Sequence, residues 1–226
     1  IVRFVVKNKK CSVVIQSRFN SSRLPGKAAS PINGIPLVVL AALRAGNTGN
    51  NVLVATSNEV TDDEVCILLE KFKINYFRGS LNNVLSRFNA VVGELDKDDL
   101  VFRLTADNVL PDGAMLDEMR IQYFNSGCDI LTCTPEHSNL PYGVTAELMK
   151  VKHIRDAFKN AKSDHEKEHV TPYIYNNYKH EYFKSKTLSG LSNLRLTIDT
   201  FDDYISVKSL FKRSEDIVND SILSLM

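Results

Sequence analysis

The chain lacks any CxxC pair among its four cysteines, Cys11, Cys66, Cys128 and Cys133. A protein of 226 residues does not depend on a disulfide framework, so reduced thiols and a cytoplasmic setting are expected. Long apolar runs are also missing. The longest, Ile35 to Leu43, is far short of the ~20 residues a membrane span needs. No charged start followed by a long apolar stretch is visible, so no signal peptide is expected. Charge of one sign is not in excess: the net charge is +1. That argues against a broad nucleic-acid or membrane footprint, and neither partner is expected, but it permits a local basic site. Internal repeats and low-complexity linkers are absent, which excludes repeat arrays and collagen-like chains.

What is present is the balance of a globular protein, 43% hydrophobic and 24% charged. The length fits a single domain over residues 1–226, with a small arm or insertion around residues 135–190. Short β-branched runs alternate with helical patterns. Ser12–Gln16, Asn51–Thr56, Asp99–Thr105, Asp129–Cys133 and Arg195–Ile198 read as strands. Leu37–Ala45, Asp62–Phe72, Asn83–Glu94, Asp112–Phe124, His153–Ala161 and Asp202–Lys212 read as helices. This alternation predicts an α/β fold with a mostly parallel sheet flanked by helices. In such sheets ligands sit at the carboxyl ends of the strands, so the loops after Gln16, Thr105 and Ile198 matter most.

The first of these loops is basic. Arg18, Arg23 and Lys27 lie within QSRFNSSRLPGK, interleaved with the small residues Ser21, Ser22 and Gly26. Guanidinium forks, a lysine point charge and close backbone N–H groups can cradle a polyphosphate. A solvated basic turn is the plainer alternative. It is not a Walker A loop, because Ala28 follows Gly26-Lys27.

The same segment, followed by INGIPL, resembles the nucleotidyltransferases that activate sugars, in particular the SpsF-type cytidylyltransferases akin to the acylneuraminate and Kdo enzymes. The resemblance continues in order through VATS, DDEV, FRGS, NVLSRF, RLTADN, EHVTPYI and LRLTIDT. It implies a Rossmann-like, GT-A-like nucleotidyltransferase fold. It also implies CTP or another nucleoside triphosphate, a sugar or sugar-acid acceptor, Mg²⁺, and a homodimer. It assigns nucleotide contacts to Gln16, Ser17, Arg18, Ser22, Arg23, Gly26, Lys27, Arg78 and Ala106. Arg103, Tyr142, Glu147, His169 and Arg195 fall to the acceptor side.

Asp107 and Asp199 each end a strand-like run and would reach one rim of a parallel sheet, where Mg²⁺ can bridge carboxylates and phosphates. Helix capping is the alternative use of each. The resemblance makes both metal ligands and, with Arg18 and Lys27, the catalytic set. The family pattern T-G-D-C-P stands here as Thr105-Ala106-Asp107-Asn108-Val109, and G-x-D-x-E as Gly143-Val144-Thr145-Ala146-Glu147. The acid expected at Thr145 is missing, so a non-catalytic nucleotide- or sugar-binding protein is the alternative function.

His165-Glu166-Lys167-Glu168-His169 matches the zinc-hydrolase string H-E-x-x-H. Polar surroundings and Pro172 argue against it, and a zinc hydrolase stays a remote alternative. Arg87 in LSRF is, with Arg78 and Arg103, a candidate to line the pocket, and a helix-surface charge is its slightly favoured alternative.

Overall fold

The computed structural model describes residues 10–226. Numbered in chain order, the strands are β1 (Cys11–Gln16), β2 (Pro31–Ile32), β3 (Ile35–Pro36), β4 (Asn51–Ser57) and β5 (Asn75–Gly79). Then come β6 (Leu100–Thr105), β7 (Ile130–Thr132), β8 (Glu147–Lys150) and β9 (His180–Tyr182). Successive side chains of β1 point to opposite faces, and Val13, Val14 and Ile15 are all fully buried. A strand buried on both sides needs this unbroken apolar run. β1 accordingly lies inside a seven-stranded sheet of order β5-β4-β1-β6-β8-β7-β9. The pairs β4–β5, β1–β4, β1–β6 and β7–β9 are parallel. β8 runs against both β6 and β7. The expectation of a mixed, mostly parallel sheet is met.

Helices cover both faces. On one side α1 (Leu37–Gly46), α2 (Asp63–Lys71) and α4 (Gly113–Ser126) pack Val38, Leu40, Val65, Leu69, Leu116 and Met119 over Val13, Ile15, Phe102 and Leu104. On the other, α3 (Val84–Val91), α6 (Val151–Asn160) and α8 (Pro172–Asn177) pack Leu85, Phe88, Ile154 and Ile174 over Val14, Val101 and Met149. The remaining helices are α5 (Pro135–Ser138), α7 (Asp164–His169), α9 (Phe201–Leu210) and α10 (Ile222–Leu225). None of the helices is long and apolar enough to cross a membrane, among the described residues.

Arg195–Ile198 is not a strand. The segment is buried from Leu196 to Ile198, but it shares only one bridge, Arg195 with Tyr142. A ladder is prevented by the close crossing at Gly143, whose φ is 105°. A Cβ there would lie 2.3 Å from the Thr197 nitrogen, so only glycine fits. Ile198 then turns its N–H to the Asp107 carbonyl, at 3.0 Å. β5, β8 and β9 were not foreseen. They are short, and β5 lies half-buried at the sheet edge, so each lacks the apolar run that marked β1.

Candidate active site

After β1 the chain leaves the sheet through Ser17 and doubles back at Gly26, whose φ of 74° is the left-handed conformation glycine adopts freely. The Phe19 ring packs beneath Gly26, and the Gly26 N–H donates to the Phe19 carbonyl. Asp62 fixes the start of the loop. Its buried carboxylate accepts the Phe19 N–H at 2.7 Å, the Thr56 hydroxyl at 2.9 Å and the Ser57 N–H at 2.9 Å. Desolvation pushes its pKa up, but these donors, with the Ser57 hydroxyl, outweigh it and hold the group below the ordinary carboxylate value. Asp62 carries the site's geometry although sequence reading passed it over. Its place in DDEV at the head of a helix looked like ordinary first-turn acidity.

The turn at Gly26 delivers Lys27 to the centre of the rim. Its Nζ donates to Asp107 Oδ2 at 2.9 Å, to Asp199 Oδ1 at 3.2 Å and to the Ile198 carbonyl at 2.7 Å. Residues 80 and 172 positions away in sequence thus share one ammonium. Neither aspartate is spent as a helix cap. Thr200 caps α9, reciprocally with Asp203, and Asp107 instead accepts the Thr105 hydroxyl at 2.5 Å. The Asp199 carboxylate also meets Arg23 Nη2 at 2.9 Å and Arg195 Nη2 at 3.0 Å. Arg195 stacks over the Tyr142 ring, 5.0 Å to its centroid, and pairs with Asp203 at 3.0 Å. Desolvation would raise the Asp203 pKa. The Arg195 guanidinium and the Thr200 and Asp199 N–H groups bring it down to about 2.

Arg23, Lys27, Asp107 and Asp199 border one cavity of about 290 Å³, while Arg195 and Tyr142 stand outside its lining. Gln16, Ser17, Arg18, Ser22, Arg23, Lys27, Ala106, Asp107, His169 and Asp199 line it. So do Arg87 and Glu168. Arg78 lies elsewhere: it pairs with Asp63 at 2.6 Å and donates to the Ser57 and Glu59 carbonyls. Gln16, on the cavity lining, begins a chain through Arg103 to Glu147, neither of which lines the cavity. Arg103 donates to Gln16 Oε1 at 3.2 Å and to Glu147 Oε2 at 2.7 Å. Glu147 also accepts the Thr171 and Tyr175 hydroxyls, at 3.0 and 2.7 Å. Asn108 and Thr145, two of the departures from the family pattern, meet as a neutral pair with Asn108 Nδ2 donating at 2.8 Å.

Arg87 is not a surface charge. It is only 3% exposed and lines the cavity, so of the two readings open for it the pocket-lining one holds, although a lone arginine on a helix normally faces water. In the H-E-x-x-H stretch, the Glu166 carboxylate is used in a capping box with Ser163. Pro172 starts the next helix, α8, and Val170 at φ 70° separates the two. Among the described residues, no three His, Cys, Asp or Glu side chains gather into a metal-binding group.

The cytidylyltransferase family model matches residues 12–223. The chain belongs to the cytidylyltransferase family. Membership makes it a nucleotidyltransferase by family. The spore coat polysaccharide biosynthesis protein SpsF of Bacillus subtilis (strain 168) is 32% identical, the match covering 94% of this chain and 92% of that protein. A cytidylyltransferase structure from Leptospira borgpetersenii serovar Hardjo-bovis (strain JB197) superimposes with a TM-score of 0.86 at 28% identity, covering 96% of this chain and 92% of that one. The CMP:2-keto-3-deoxy-manno-octonic acid synthetase complexed with CTP shares the fold, with a TM-score of 0.68 at 14% identity and coverage of 90% and 98%.

Proposed function

We propose that this cytidylyltransferase, acting as one domain, transfers CMP from CTP to a sugar or sugar acid destined for a surface glycan, and releases pyrophosphate. The observation that carries this is the meeting of Asp107 and Asp199 at the Lys27 ammonium, on the rim that the basic loop overhangs. The names of the relatives, a polysaccharide biosynthesis protein and a sugar-acid synthetase, support the acceptor class.

Arg18, Arg23 and Lys27 hold the triphosphate, helped by the small residues Ser22 and Gly26. An acceptor oxygen attacks the α-phosphorus in line, and the bond from that phosphorus to the bridging oxygen breaks. The leaving pyrophosphate carries the electron pair, and its charge is neutralised by the same cations. The site fits Mg²⁺: two hard carboxylate oxygens already converge on one cation, the Lys27 ammonium, and phosphate oxygens and water can complete the set. Asp107 and Asp199 would hold the metal, which supplies charge screening at the α-phosphate and favours the deprotonated acceptor hydroxyl. No side chain stands out as a dedicated base. The Arg103–Glu147 chain, His169, and the Tyr142–Arg195 stack face the acceptor. A homodimer is the expected working form.

Pyrophosphate release from CTP and Mg²⁺ with a panel of sugars and sugar acids tests the proposal. Turnover with one acceptor, abolished in Asp107→Asn, supports it. CTP binding without turnover across the panel favours the binding-protein alternative. No CTP binding at all removes it.

A further inference from the structure

Two arginines among the described residues are buried, and they differ in one respect. Arg44 is fully buried, and its guanidinium donates to the carbonyls of Leu110, Ile217 and Asp220 at 2.8–3.1 Å, with Asp112 nearby at 3.7 Å. Its charge is spent on holding the C-terminal segment. Arg87, 3% exposed, has Nε and Nη1 both buried and without a hydrogen-bond partner. Burying an unpaired charge costs several kcal/mol, and leaving its donors unmade adds to that. A fold retains such a group cheaply only if something outside the fold completes it.

The surroundings identify the completing group. Arg87 borders the same cavity as Arg18, Arg23 and Lys27. Room for its stem is kept by Gly79, where a Cβ would lie 2.7 Å from Arg87 Cγ. Burial lowers its pKa to about 10, with Asp62 opposing and Arg18 reinforcing the shift, so the guanidinium remains charged at neutral pH. Asp62 is already saturated by four donors from the loop and β4. Four cationic side chains line one cavity of about 290 Å³ together with Asp107, Asp199 and Glu168. Arg23 and Lys27 are paired with the two aspartates, which leaves Arg18 and Arg87 on the lining with no ion pair among the described residues. Two guanidinium groups without a counter-charge beside one cavity favour an anion that offers several oxygens.

We propose that Arg87 is a phosphate-binding residue of the nucleotide site, its planar fork donating to oxygens of the polyphosphate. This rests on the cytidylyl-transfer reading above and adds a contact to it. The fork suits bidentate phosphate recognition, and in a water-poor cavity each such bond is stronger than at the surface.

The test compares the full-length wild type, Arg87→Met and Arg87→Lys by calorimetric titration with CTP and with cytidine, in the presence of Mg²⁺. Thermal unfolding is measured without ligand. The expected result is CTP binding weakened roughly 30-fold in Arg87→Met, the scale of a lost charged hydrogen bond, with cytidine binding unchanged. Arg87→Lys keeps the charge, retains the wild-type Tm, and loses only several-fold. The ligand-free Tm of Arg87→Met is equal to or above wild type, because an unpaired buried charge has been removed. Wild-type CTP affinity in Arg87→Met overturns the assignment, as does equal weakening of CTP and cytidine or a Tm lowered in both variants. A raised KM for the acceptor with unchanged CTP affinity also overturns it, moving Arg87 to the acceptor side. If the wild type binds CTP, these failures touch Arg87 alone. If it does not, the transfer reading falls first.

Discussion

Lys27 Nζ lies 2.9 Å from Asp107 Oδ2, and this ion pair closes the rim of the sheet. The same ammonium reaches Asp199 at 3.2 Å. Lysine therefore sits where the two carboxylates would present themselves to a divalent cation. In the proposed reaction a triphosphate would compete for that lysine and, by drawing it away, expose the acids. Lys27→Met is expected to bind Mn²⁺ at least ~10-fold more tightly than wild type when no nucleotide is present, since two facing carboxylates lose their counter-charge. Its turnover falls by about 100-fold through lost stabilisation of the phosphates. Titration followed by electron paramagnetic resonance checks the first point, and equal Mn²⁺ affinity in the two proteins would refute it.

Gly143 holds the Arg195–Ile198 segment against its own backbone. Gly143→Ala must adopt φ near 105° and push Thr197 away. The expected cost is about 2 kcal/mol, a fall in Tm of roughly 4–8 °C. Because Asp199 follows that segment directly, turnover drops more than stability alone explains. A Tm and rate equal to wild type would show that the crossing is not rigid.

Asp203 supplies a pH signature. Its folded-state pKa of about 2 lies below the ordinary 3.8, so in the pH range above 3.8 it contributes stability. That contribution is lost as the pH falls through about 2. Asp203→Asn is therefore less stable than wild type at pH 6, and the gap narrows as pH approaches 2. Urea unfolding across that range measures it. A gap that stays constant would place the effect in packing rather than in the Arg195 pair.

The parts of this molecule that could be read from sequence are those where one physical demand acts alone. β1, β4 and β6 announce themselves because burial on two faces admits only apolar β-branched runs. Asp107 and Asp199 stood at the ends of strand-like runs and Lys27 in the basic loop after β1, and the three do converge. The buried run Leu196–Ile198 carries the same signal without a strand, because apolarity reports burial and not pairing. β8 holds only four residues, and its place depends on β6 and β7, which are distant in sequence. The burial of Arg87, a pocket candidate in the sequence, and the role of Asp62 were illegible for a different reason. Their environments are made by Gly79, Phe19 and Ser57, contacts that no local pattern encodes.

The reversed direction of β8 has an evolutionary consequence. Its first residue, Glu147, arrives at the rim by the start of a strand, whereas Gln16 and Thr105 arrive by the ends of theirs. Glu147 does not itself line the cavity; it holds Arg103, which donates to the lining residue Gln16, so two independently threaded stretches of polypeptide meet behind one side of it. Exchanges in the stretch leading into Glu147 can shift that side through Gln16 while the Lys27–Asp199 side keeps its shape, a ready route by which a single scaffold diversifies what it accepts.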